Sequence, residues 1–257
     1  MSDLVLLEQD ARGVVTISLN RPEKRNAMNI PLLEALCTAV AASNEDPAVR
    51  VIVIRGNGAA FCAGLDLEEA MDTDRSHRSA DLVRLMLETV YASPKVTIAA
   101  VHGAAVAGGA GLMSACDIVV GTLDAKFGYP EVRRGLVAGL VMTFVRRQLQ
   151  ERHARELLLL GEMINGERAH EIGLINRAVP TDLLNAEVER LVDTVLKGAP
   201  GAIANTKRFY DGLWHCAAEA DFDKARALHV EVRNGGEAQE GFKAFLDKRK
   251  PHWDPSS

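Results

Sequence analysis

Two loops built of small residues offer the most direct chemistry in this 257-residue sequence. The first, Asn57-Gly58-Ala59-Ala60-Phe61-Cys62-Ala63-Gly64-Leu65-Asp66-Leu67, leaves a β-branched run and enters a polar helical stretch. The second, Val101-His102-Gly103-Ala104-Ala105-Val106-Ala107-Gly108-Gly109-Ala110-Gly111, leaves another apolar run and enters a buried helix. Peptide N–H groups at a helix start lack intrahelical partners and lie at its positive end, so they bind negative charge. Small side chains let a ligand approach that backbone closely. One such loop is explained equally well as a tight strand-to-helix turn. Two together can form an oxyanion hole, whose preorganised donors stabilise a carbonyl oxygen gaining charge by roughly 3 kcal/mol each.

Other reactive side chains carry weaker signals. Glu131 follows Pro130 in a loop, where on its own it reads as a solvent-facing partner for Arg133 or Arg134. His102 ends a buried strand just before Gly103, a place where a histidine satisfies nearby backbone groups. Ser114 lies inside the apolar helical stretch and no G-x-S-x-G surrounds it, so a hydrolase triad is not expected. Gly109-Ala110-Gly111 is followed by Leu-Met-Ser, which breaks the dinucleotide fingerprint. Cys37, Cys62, Cys116 and Cys216 show neither a C-x-x-C pair nor histidine spacing, so no structural metal is expected and a reducing compartment is.

The elements that position the loops can be read from periodicity. Residues 14–19, 51–55, 96–101 and 117–120 form strands, residues 31–42 a helix, and residues 111–116 a buried helix. From Gln148 onward helix formers dominate, with helices expected at 152–160, 167–171, 183–196 and 203–218. Breakers at Lys197-Gly198-Ala199-Pro200-Gly201 place a boundary there, giving an α/β core over 1–197 and a C-terminal helical region over 198–257. A net charge of −5 with 25% charged residues gives no field strong enough to hold nucleic acid or an anionic membrane. No apolar run reaches membrane-span length and the N-terminus lacks a secretory pattern, so the expected location is the cytoplasm.

Five separate stretches resemble the crotonase, or enoyl-CoA hydratase/isomerase, superfamily. They are the two loops, the opening Asn20-Arg21-Pro22-Glu23-Lys24-Arg25-Asn26-Ala27-Met28, the segment Phe127-Gly128-Tyr129-Pro130-Glu131-Val132, and the tail Glu240-Gly241-Phe242-Lys243-Ala244-Phe245-Leu246-Asp247-Lys248-Arg249. The resemblance implies a spiral of strand-strand-helix turns forming two packed sheets, and a helical C-terminal region through which subunits associate as trimers or dimers of trimers. It implies that the N–H groups of Leu65 and Gly108 hold a thioester oxygen and that Glu131 moves the proton. Ala63, Asp66 and Leu67 would line the channel for coenzyme A, which is part of the substrate rather than a separate cofactor. Arg25 and Ala27 would flank its phosphates, and Phe245 and Lys248 would reach it across a subunit boundary.

One departure from the family pattern is informative. Gly111 stands where the best-known hydratases carry a second glutamate, and Gly139 occupies the stretch where other branches place an extra aspartate. A single carboxylate suffices for a double-bond shift and weakens, without abolishing, hydration. Glu68, Glu69 and Glu88 are candidates to replace the missing acid. The expected activity is therefore hydration or isomerisation of an enoyl-CoA. The rival is a non-catalytic acyl-CoA-binding or scaffold protein that kept the cavity and lost the chemistry.

Overall fold

The computed structural model describes residues 4–70, 73–213 and 218–253. Among the described residues, eight strands form two layers. In chain order they are β1 (Val5–Gln9), β2 (Val14–Leu19), β3 (Val51–Gly56), β4 (Val96–Val101), β5 (Ala104–Val106), β6 (Ile118–Thr122), β7 (Lys126–Gly128) and β8 (Arg177–Val179). Six of them make one sheet in the order β1-β2-β3-β4-β6-β8, with β1 antiparallel to β2 and the rest parallel. The second layer is the short parallel pair β5-β7, extended on its two sides by single-residue bridges from Cys62 to Ala105 and from Phe127 to Ile164. From β3 to β7, each turn of the chain thus visits the large sheet, then the small layer, then a helix.

The helices are α1 (Ile30–Glu45), α2 (Leu67–Ala70), α3 (Thr73–Tyr91), α4 (Gly108–Ala115), α5 (Gly139–Gln148), α6 (Glu151–Leu160), α7 (Gly166–Glu171), α8 (Leu184–Leu196), α9 (Pro200–Gly212), α10 (Ala218–Arg233) and α11 (Gly236–Leu246). A parallel sheet covered on both faces needs strands that are apolar throughout. Ile52, Ile54, Ala99 and Val101 point into the main core with α1, α3, α4 and α5. Val51, Val53, Val96 and Ile98 point the other way, onto Leu184, Val188 and Val192 of α8. The tail returns to the body: Phe222 of α10 belongs to the main core, and Ala238 and Phe242 of α11 form a small cluster with Leu67 and Leu136.

Several boundaries differ from the sequence reading, among them the end of α1, at Glu45 rather than Ala42, and two helices differ for a local reason. The helix expected from residue 111 begins at Gly108 instead, because Ala107 takes a positive φ of 51° and turns the chain sharply out of β5. The expected helix over 203–218 starts earlier, with Pro200 at its first position, and ends at Gly212. Residues 214–217 of the expected span, Cys216 among them, lie outside the described residues, and Ala218 opens α10.

The two loops are fastened side by side. The N–H of Phe61 donates to His102 (3.0 Å), that of Cys62 to Ala104 (3.0 Å), and that of Val106 to Cys62 (3.1 Å). Asn26, fully buried, donates from Nδ2 to the carbonyls of Asn57 (3.0 Å), Ala60 (2.8 Å) and Phe61 (3.2 Å), while its Oδ1 accepts from the N–H of Arg21 (2.8 Å). Gly103 must be glycine, since at φ 63° a Cβ there would meet the Ala59 carbonyl oxygen at 2.0 Å. Replacing Asn26 by leucine strands several buried carbonyls, so Asn26→Leu is expected to cost about 3 kcal/mol or more in chemical denaturation. An unchanged midpoint would show that the clamp is dispensable.

Candidate active site

The N–H of Leu65 is turned outward by its neighbours. Met28 donates to the Gly64 carbonyl (2.7 Å) and accepts from the Asp66 N–H (3.0 Å). In a parallel bridge the residue between those two contacts directs its own N–H to the opposite side. The N–H of Gly108, first residue of α4, has no intrahelical acceptor. The two groups lie close together: a Cβ on Gly64 would sit 3.5 Å from the Gly108 nitrogen, and one on Gly108 would sit 4.0 Å from the Leu65 nitrogen. Leu65 and Gly108 line one cavity of about 290 Å³.

Glu131 lines the same cavity from the 3-10 turn Pro130–Arg134. Its Oε2 is buried with no hydrogen-bond partner. Burial pushes the carboxyl up to about 7, against a hydrogen bond from its own backbone N–H and the charge of Arg134, which both pull it down. The partnership expected from the sequence alone does not form as a hydrogen bond. Arg133 donates to the Leu160 carbonyl (2.9 Å), and Arg134 is half-buried with its Nε also lacking a partner.

The expected CoA-binding residues divide into two groups. Ala27, Ala63, Asp66, Leu67 and Phe245 line the cavity. Arg25 and Lys248 are exposed and lie outside its lining. Arg25 sits in a left-handed turn (φ 51°) that spends its carbonyl on the Ala63 N–H (3.0 Å) and brings the preceding Lys24 to the cavity instead. Lys248 lies beyond the end of α11, at φ 52°. The Asp66 carboxylate is already engaged, with Arg21 at 2.6 Å and the Glu68 N–H at 3.1 Å, so it fastens the loop and presents backbone to the cavity. Phe245 lines the cavity of its own chain, with the Arg134 guanidinium 4.9 Å above its ring.

The place of the missing second acid is filled. A Cβ on Gly111 would lie 2.3 Å from Val141 Cγ1 and 3.6 Å from Leu87 Cδ2, so the backbone there packs directly against α5. None of the candidate replacements supplies a free carboxylate. Glu69 accepts from the Ile30 N–H (2.7 Å) and Glu88 pairs with Arg84 (2.8 Å), both away from the cavity. Glu68 lines the cavity but is largely exposed and paired with Lys24 at 3.2 Å. His102 Nε2 bonds the Gly58 carbonyl (2.8 Å) and Ser114 bonds the buried Tyr129 hydroxyl (3.0 Å), so both are structural. Arg134, His229 and Arg233, which also line the cavity, belong to none of the five family-like stretches, and Phe242 stands in the tail stretch without an expected role. The signal that could have found two of them is His229 and Arg233, four residues apart on one helix face.

The sequence profile of the enoyl-CoA hydratase/isomerase family matches residues 9–256. A Thermus thermophilus protein, provisionally named an enoyl-CoA hydratase, is 37% identical over 253 residues, covering 96% of this chain and 100% of its own. The 2,3-dehydroadipyl-CoA hydratase of Escherichia coli is 32% identical, covering 98% of each chain. The crystal structure of an enoyl-CoA hydratase from Mycobacterium avium superimposes with a TM-score of 0.87 at 33% identity, covering 98% of this chain and 100% of that one.

Two measurements check the site. Gly111→Ala is expected to cost about 1–3 kcal/mol in thermal unfolding, because α4 and α5 must separate to admit the methyl group. Equal stability would mean that the two helices yield freely. Glu131, raised from 4.5 to about 7 in the fold, favours folding below 4.5 and loses that contribution as pH rises through about 7. The stability of the wild type relative to Glu131→Gln should therefore fall across that window, by about 3 kcal/mol at most. A flat difference would place the carboxyl in water.

Proposed function

The chain belongs to the enoyl-CoA hydratase/isomerase family, an enzyme family acting on CoA thioesters, and from that premise we propose a single-carboxylate mechanism on an enoyl-CoA. The thioester oxygen sits between the N–H groups of Leu65 and Gly108. In hydration, Glu131 takes a proton from water as the hydroxide oxygen bonds the β-carbon, and the electron pair of the conjugated bond moves to the thioester oxygen as an enolate. The same carboxyl then returns the proton to the α-carbon and is regenerated. In a double-bond shift, Glu131 removes the α-proton of a 3-enoyl thioester and delivers it to the γ-carbon. A carboxyl poised near 7 is present in both protonation states at neutral pH, as a group that first accepts and then donates requires.

The observation that carries this reading is Glu131 Oε2, buried and unpartnered in the cavity that also receives two outward-turned N–H groups. Isolating a carboxylate from both water and partners is unfavourable, and a protein that only bound acyl-CoA would have no use for it. Gly111, packed against Val141, leaves no room for a second acid and favours chemistry that one mobile proton carrier can complete. On this reading Ala27, Ala63 and Leu67 flank the thioester arm, and Lys24 supplies a cation where the cavity opens.

The conjugated-thioester absorbance tests the reading, falling on hydration of crotonyl-CoA and rising on isomerisation of a 3-enoyl-CoA. Glu131→Gln should slow either reaction by ~10²–10⁴ while CoA binding is kept. Because the base must be ionised, wild-type kcat/KM should rise with pH and level off above about 7. Near wild-type rates in the variant would remove Glu131 from the mechanism.

A further inference from the structure

The cavity holds more polar equipment than a plain alkyl chain would use. Besides Glu131, and apart from Lys24 with its partner Glu68, three basic side chains line it: Arg134 from the turn that carries Glu131, and His229 and Arg233 from α10. The wall around them is otherwise apolar, made of Leu136, Val137, Leu140, Val141 and Phe242. Buried polar atoms without partners are rare in folded proteins. Here His229 Nε2 and Arg134 Nε are both buried and unpartnered.

The His229 ring is fixed. It bonds the backbone at Val137, and since Nε2 has no partner that bond is made by Nδ1, donating to the carbonyl. The free nitrogen is thus Nε2. Burial, and then the charge of Arg233, hold the ring neutral in the ligand-free protein, well below its ordinary range at about 4. Nor is Arg134 simply a counter-ion bound to Glu131: its charge acts on the carboxyl, yet Arg134 Nε and Glu131 Oε2 are each without a hydrogen-bond partner. A half-buried guanidinium, stacked over the Phe245 ring with its Nε buried and unpartnered, suits a planar carboxylate, which accepts its N–H donors directly.

We propose that Arg134, His229 and Arg233 form a subsite for an anionic group on the acyl chain, so that the preferred substrate is the mono-CoA thioester of an unsaturated dicarboxylic acid. This rests on the enoyl-CoA reading above and adds the substrate class. A carboxylate entering the subsite accepts hydrogen bonds from the arginines, and His229 takes one proton from solvent at Nε2 and donates it to the second oxygen. Binding of such a ligand therefore takes up a proton, while binding of the alkyl counterpart does not.

Titration calorimetry with saturated thioesters, which neither hydrate nor isomerise, isolates the proposal from the chemistry. Hexanoyl-CoA, adipoyl-CoA and CoA alone are compared in buffers of different ionisation enthalpy. Adipoyl-CoA should bind at least about tenfold more tightly than hexanoyl-CoA, with net proton uptake. His229→Leu and Arg134→Met should each bring that ratio towards one, whereas Arg133→Met, at an exposed position bonded to the Leu160 carbonyl, should preserve it. Equal wild-type affinities for the two thioesters overturn the proposal even if a variant fails to fold. So does a loss in the variants that is as large for CoA alone, which would assign the basic groups to phosphate. Turnover of hex-2-enoyl-CoA by the same preparation reports separately on the underlying reading.

Discussion

The backbone of residues 57–66 is held from both sides at once, and the site depends on that arrangement. On one side it exchanges hydrogen bonds with the loop after β4, through Phe61, Cys62 and Val106; on the other it is bridged to Met28 and clamped by Asn26. Leu65 has no remaining freedom to turn its N–H elsewhere, and Gly108 is fixed by Ala107, whose own N–H donates to Gly128 (2.9 Å). The positive φ of Ala107 (51°) stores local strain that only a well-fastened surround maintains. Donors aimed in this way need no reorganisation when charge develops on a bound oxygen, which is where their catalytic value lies.

The second constraint is dehydration. Glu131 Oε2, Arg134 Nε and His229 Nε2 are all buried in or around one cavity without partners. Each unsatisfied group costs on the order of 1–3 kcal/mol, a sum that is a large part of a domain's net stability. The fold tolerates the cost because two extensive apolar layers flank the large sheet. The same dehydration raises Glu131 towards neutrality, so the stability given up and the proton-transfer capacity gained have one cause.

Much of the architecture was legible in the sequence because it is local. β2, β3 and β4 are runs of β-branched residues, and α8 ends within a residue of its expected limits because Gly198 and Pro200 follow it. Of the strands that escaped, β1 is half-buried or exposed along its length and shows no alternation, while β5, β7 and β8 are three residues each, too short for a period to show. Their existence depends on pairing between segments far apart in the chain. At the site, Leu65, Gly108 and Glu131 could be named from motifs, whereas the contribution of α10 could not, since His229 and Arg233 become cavity residues only when that helix packs onto α3 and α5. Arg25 illustrates the converse. The motif pointed to Arg25, and the left-handed turn there brings its neighbour Lys24 to the cavity lining.

Polarisation of a thioester carbonyl by two peptide N–H groups is the central claim, and vibrational spectroscopy addresses it without relying on turnover. The infrared difference spectrum of an acyl-CoA carrying ¹³C at the thioester carbonyl, bound to the Glu131→Gln protein, reports the strength of that C=O bond directly. The account predicts a carbonyl stretch shifted to lower wavenumber than in free acyl-CoA, because two donors draw electron density onto the oxygen. A bound ligand whose carbonyl band stays at its solution position would contradict it.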